Sequence, residues 1–149
     1  MILDELMEFA DGLTLATATG THTEGDNIDL GAARDIGNGS MLYLVIQVVA
    51  AVTSGGSATV EFLLASDGTA TIATDGSASE HISTGAIAKA DLVAGYTRVL
   101  PLPPGNGVAY ERYLGLQTKV AAAALTAGSI NAFIVNDVAS WKAYADAQN

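Results

Sequence analysis

The chain has no cysteine, which excludes a disulfide framework and any thiolate metal site and leaves the redox compartment unmarked. It is also poor in cations. Six Lys and Arg stand against sixteen Asp and Glu, a formal charge of -10 that repels phosphate backbones and anionic lipid. Direct binding to nucleic acid or to a membrane is therefore not expected. No run approaches the roughly 20 uninterrupted apolar residues of a membrane helix. The opening Met1-Ile2-Leu3-Asp4-Glu5 lacks the basic start and apolar run of a secretory signal, so a soluble protein made in the cytoplasm is expected.

What is present points to strands. The 149 residues suit one domain, and half are hydrophobic with few aromatics, while Gly, Ala, Ser, Thr and Val are frequent. Residues 1–12 read as an N-terminal arm or short helix, with an edge strand also open, and residues 13–149 as a β-sandwich domain. A first strand is expected from Leu13, where Leu13, Leu15, Thr17 and Thr19 share one side. Residues 20–27 read as a polar connection, and residues 28–37 as a short strand and loop.

The clearest strand spans Met41 to Val52, because apolar residues fill both alternating faces, which calls for a central position. The Thr53-Ser54-Gly55-Gly56-Ser57 loop and the alternating run Ala58 to Ala65 suggest an antiparallel pair with it. Asp67-Gly68 and Asp75-Gly76 frame a second, more exposed hairpin. A strand over residues 81–87 and a helical turn or loop over 88–95 come next, followed by an extended segment over 96–102. Pro101, Pro103 and Pro104 place the following stretch at an edge or crossing loop. Residues 110–120 and 127–136 alternate well, and the four alanines at 121–124 favour helix by propensity. Val138, Trp141 and Tyr144 are spaced for an amphipathic turn. Seven or eight short strands fit a sandwich or barrel.

Chemistry is hard to find. His22 and His81 stand in no metal-ligand spacing, Ser66, Ser77 and Ser83 lack a nucleophile elbow, and the glycines at 31, 37 and 39 lack the Lys-Ser or Lys-Thr of a phosphate loop. Glu61, Asp67, Asp75 and Glu80 fit turn formers and solvated faces better than a glycosidase pair or calcium site, since no DxDxDG loop is present. No cofactor, metal or enzymatic activity is expected. Arg34 with Asp35, and Glu111 with Arg112, are adjacent opposite charges in a cation-poor chain, better suited to an internal clamp than to an intermolecular contact. With Tyr113, Trp141 and Tyr144, the residues Arg34, Asp35 and Arg112 are the candidates for a protein interface.

Several phrases taken together resemble a known family. They are Asn27-Ile28-Asp29-Leu30-Gly31-Ala32-Ala33-Arg34-Asp35-Ile36-Gly37, Ser83-Thr84-Gly85-Ala86-Ile87, Leu92-Val93-Ala94-Gly95-Tyr96 and Leu100-Pro101-Leu102-Pro103-Pro104-Gly105, with Glu111-Arg112-Tyr113-Leu114-Gly115-Leu116 and Leu125-Thr126-Ala127-Gly128-Ser129-Ile130. As a set they resemble the jelly-roll capsid cement, or decoration, proteins of tailed bacteriophages. The resemblance implies an all-β, jelly-roll-like antiparallel sandwich on the outer surface of the virion's capsid, bound to the major capsid protein, as a homodimer and without catalysis. It transfers no functional residues. The competing readings are a lectin-like module of a phage fibre or bacterial surface, and a small hydrolase that depends on His22 or His81.

Overall fold

The computed structural model describes residues 5–36, 39–104 and 107–138. Among them a single 3-10 turn, Glu5–Met7, leads into nine strands: β1 Glu8–Thr14, β2 Gly20–Asp29, β3 Tyr43–Ser54, β4 Thr59–Asp67, β5 Ser79–Ser83, β6 Ile87–Ala88, β7 Thr97–Pro101, β8 Tyr113–Ala121 and β9 Leu125–Val135. They form two sheets with every pair antiparallel. The first has the order β1-β9-β3-β7, and the second the order β2-β8-β4-β5, with β6 also on β4.

The pairings nest: β1 with β9, β2 with β8, β3 with β7, and β4 with β5 and β6. The chain is thus one long antiparallel ribbon, rolled until β9 also meets β3 and β8 also meets β4. That is the topology of a jelly roll, in which two sheets bury each other's inner faces, and the expected jelly-roll-like sandwich is the fold observed.

Period-two alternation sets the core. Leu44, Ile46 and Val48 of β3 and Ile130, Ala132 and Ile134 of β9 face Val60, Phe62 and Leu64 of β4 and Leu114, Leu116 and Val120 of β8 across the sandwich. Each of these side chains larger than alanine contributes about 1.5–3 kcal/mol through burial. The other face of β3 is apolar as well. Val45 joins Phe133 and Val135 in a small cluster outside the first sheet, flanked by Tyr43 and Val138. β3 therefore needs cover on both sides, as its sequence requires, and it lies between β9 and β7.

Several local expectations change. The strand expected over residues 13–19 lies earlier, over Glu8–Thr14, so residues 8–12 run in β1, Phe9 and Ala10 join the core, and residues 15–19 connect β1 to β2. The polar stretch 20–27 is most of β2. It pairs with β8 at the edge of the second sheet, where one face needs no apolar residues. β3 and β4 form no hairpin, since the loop after Ser54 carries the chain from one sheet to the other. Of the 121–124 alanines, Ala121 ends β8 and the other three form a turn with Ala122 at φ 69° and no helix, because β8 and β9 must diverge into separate sheets across three residues.

The two Asp-Gly pairs do not frame a hairpin either. Residues 68–78 form a strap without strand structure across the outer face of the second sheet, where Ile72 packs with Leu63, Ala65 and Ala78. Asn27 Nδ2 donates to Ala70 O at 2.7 Å and Gln117 Nε2 donates to Ala73 O at 2.9 Å, which ties the strap to β2 and β8. β4 and β5 on either side of the strap do pair with each other. Pro101 closes β7, an edge strand of the first sheet, where a missing amide donor is tolerated.

Candidate functional site

The described interface candidates gather at one end of the second sheet. Arg112, just before β8, forms a bidentate pair with Asp29 at the end of β2: Nε donates to Oδ1 and a terminal guanidinium nitrogen to Oδ2, both at 2.8 Å. The guanidinium also lies 4.9 Å from the centre of the Tyr113 ring. Its hydrogen bonds hold the Asp29 carboxyl down to about 2, assisted by the Gly31 amide, and raise Arg112 further above its usual range.

Sequence adjacency misdirected one pairing, because Arg112 takes Asp29, 83 positions away, while its neighbour Glu111 accepts from Ser79 Oγ at 2.8 Å. Arg34 lies in the loop after β2, beside Asp29 and Leu30 in a surface depression, and Asp35 next to it is exposed. Its charge contributes to raising the phenol of Tyr110, behind the larger effect of burial. Arg34, Asp35, Arg112 and Tyr113 thus lie on neighbouring segments around the end of β2, whereas Trp141 and Tyr144 lie outside the described residues.

A serine and a histidine do meet. Ser66 Oγ and His81 Nε2 share a hydrogen bond of 2.7 Å, the spacing of a nucleophile and its base. Three features assign the pair to holding the chain together. Ser66 is 0% exposed, and its Oγ already accepts the Glu111 amide at 3.0 Å. The His81 ring is stacked on Tyr110, with centroids 3.9 Å apart and an interplanar angle of 16°. The nearby carboxylate of Glu111 turns to Ser79. The network joins β4, β5 and the segment leading into β8, and Tyr110 extends it by donating to Pro103 O at 2.7 Å.

This network has a pH signature. Burial lowers the His81 pKa below its usual 6.5, and Glu111 offsets that only partly. Above pH 6.5 the ring is neutral in folded and unfolded chains alike. Below it the unfolded chain takes up a proton that the folded one resists, so stability falls with pH until the folded pKa is passed. Urea midpoints measured at pH 7.5 and pH 5.5 are expected to drop more steeply for the native chain than for His81→Gln, and equal drops would show that His81 does not carry the effect.

The other carboxylates singled out in the sequence are each engaged locally. Asp67 accepts amides from Ala73 and Thr69, and Asp75 accepts from Ser77, which lowers both carboxyls. Glu80 meets Lys119 Nζ at 2.5 Å, and Glu61 accepts from Ser83 Oγ. They are turn caps and cross-strand partners, and among the described residues no group of three or more His, Cys, Asp or Glu is placed to hold a metal ion. His22 bonds Ala18 O at 2.9 Å. No helix of the described residues is long and apolar enough to cross a membrane.

No curated protein matches the chain. One family model does, and its match runs over residues 9–134, from the second residue of β1 to the penultimate residue of β9. Because that span takes in the whole nested set of strands, the chain belongs to the Bbp16 family.

Proposed function

We propose that this protein is a structural subunit of a bacteriophage particle: a cement protein, dimeric in use, that binds the outer surface of the head and bridges neighbouring major capsid protein subunits. One observation carries the reading. The Bbp16 match covers the same jelly roll that the sequence phrases implied through their resemblance to phage cement proteins.

The physical properties suit the task. A two-sheet sandwich whose inner faces are buried against each other is a stiff body that can hold its outer surface in a fixed shape. A charge of -10 keeps such a subunit away from packaged DNA. Many copies on a lattice convert individually weak contacts into durable attachment, because once one contact holds, the next forms at high effective concentration.

The experiment is removal of the gene from the virus that encodes the chain. Heads are expected to assemble and then rupture at lower temperature or under milder osmotic shock than native ones, with resistance restored when purified protein is added back. Heads of unchanged resistance, or virions that never contain the protein, would overturn the reading.

A further inference from the structure

The two sheets meet at one side along a seam between β1 and β2, each the edge strand of its own sheet. Two adjoining surface depressions of about 650 and 860 Å³ lie along this seam and share Glu5, Glu8 and Asp26 in their walls; together they make the β1–β2 furrow. Its lining follows β1 from Glu8 to Leu13 and β2 from Gly25 to Asp29.

The furrow combines two kinds of surface. Apolar groups line it: Met7 from the 3-10 turn, Leu13 from β1, Ile28 and Leu30 from the end of β2, and Ile36 beyond it. Leu6 stands at the lip with 77% of its surface exposed. Carboxylates dominate the polar lining, with Glu5, Glu8, Asp11 and Asp26 along its length and Asp29 at one end. Asp29 is held by Arg112. Among the described residues no Lys or Arg forms a salt bridge with the other four, and Arg34 is the sole cation lining the furrow. Glu8 has its carboxyl raised, first by burial and then by the negative charges of Asp11 and Glu5. A cation brought into the furrow would relieve that crowding.

We propose that the β1–β2 furrow is the docking site for an extended segment of a partner polypeptide that carries both Lys or Arg and aliphatic side chains. The aliphatic groups would cover Met7, Ile28 and Leu30 while the cations meet Glu5, Glu8, Asp11 and Asp26. Shape argues for a strand-like segment, because successive residues of two neighbouring strands line the furrow. Charge argues for a basic one: four carboxylates that form no salt bridge among the described residues, against the single lining cation Arg34, repel an acidic segment and attract a cationic one, an effect that sets both encounter rate and choice of partner. The inference rests on the reading of the protein as a capsid-binding subunit, in which case the segment belongs to the shell.

Heads that lack the protein provide the test, with three purified forms added back and occupancy read from gels of sedimented particles. The native chain is compared with Glu5→Lys/Asp26→Lys and with Asp75→Lys/Asp91→Lys, two double variants with the same change in net charge at positions that are all exposed. The seam variant is expected to need about tenfold more protein for half-occupancy, with the control variant close to native and native binding weakened as salt is raised. Circular dichroism and urea midpoints establish that both variants are folded. Equal binding by the seam variant and the native chain would overturn the furrow proposal and leave the cement reading standing. Equal weakening of both variants would also overturn it, as a bulk charge effect. Failure of the native chain to bind heads at all would instead defeat the cement reading.

Discussion

Replacing Gly25 with alanine is expected to cost the fold roughly 3–5 kcal/mol, at the severe end for a single substitution. Gly25 sits in the irregular part of β2 at φ 67°, a left-handed conformation that disfavours side chains. More decisively, a Cβ at this position would lie 1.8 Å from Phe9 O and 2.9 Å from Phe9 C. Both are backbone atoms of β1, so no rotamer change can relieve the overlap and the seam between the two sheets must open. Phe9, 1% exposed, would be drawn out of the core with it. Gly76→Ala is the control, since it carries a similar left-handed φ of 93° with nothing within 4 Å of the added carbon. It is expected to cost about 1 kcal/mol, from backbone strain alone. Urea denaturation of the two variants separates contact from conformation, and equal losses would mean that the close approach of β2 to β1 is not a constraint.

Tyr110→Ala is expected to be nearly as damaging, at about 3–5 kcal/mol, the usual range for truncating a buried aromatic. The residue lies in the segment before β8, outside regular structure, yet it is 2% exposed and belongs to the main core cluster. Its ring covers one face of His81 and its hydroxyl holds Pro103 O. Truncation opens a cavity, unstacks the imidazole and frees the loop after β7. Tyr110→Phe keeps the ring and removes one hydrogen bond, so about 1 kcal/mol is expected. The burial that makes the ring valuable also pushes its phenol up to about 12, so it stays protonated throughout the physiological range. If the two substitutions cost the same in urea unfolding, the stack contributes nothing and the hydroxyl carries the effect.

Much of the sandwich was legible because alternation is written into consecutive residues. The faces of β3, β8 and β9 follow the pattern of their aliphatic side chains, and Pro101 marks an edge because it lacks an amide donor. β2 was missed for a physical reason. Its residues His22, Thr23 and Glu24 carry no apolar alternation, and their strand conformation comes from pairing with Thr118, Gln117 and Leu116 of β8. Glu24 is nevertheless buried and accepts a hydrogen bond from Thr118 Oγ1 at 2.6 Å, a partnership between positions 94 apart that no local pattern announces. The Asp67–Asp75 region misled in the opposite way: its turn chemistry is real, with both aspartates capping turns, but the residues between them serve as cover for a sheet.

The surface divides in the same manner. A modest concentration of acids in the first eleven residues is visible in the chain, and Glu5, Glu8 and Asp11 supply one wall of the furrow. Asp26 completes it only because β2 lies against β1. Arg112 was recognisable as a scarce cation, but its partner Asp29 was not, since adjacency in sequence says nothing about which distant carboxylate reaches a guanidinium.

By themselves, the amino acids determined the class of fold, the absence of thiol chemistry, the negative charge and the faces of the central strands, because each depends on composition or on the period-two geometry of a strand. Only the tertiary structure decided which strands pair, how the ribbon rolls into two sheets, where the strap and the β1–β2 seam lie, and which buried polar groups meet. Those outcomes depend on bringing together surfaces far apart in the chain, and the free energy that selects them is gained only when both partners are buried at once.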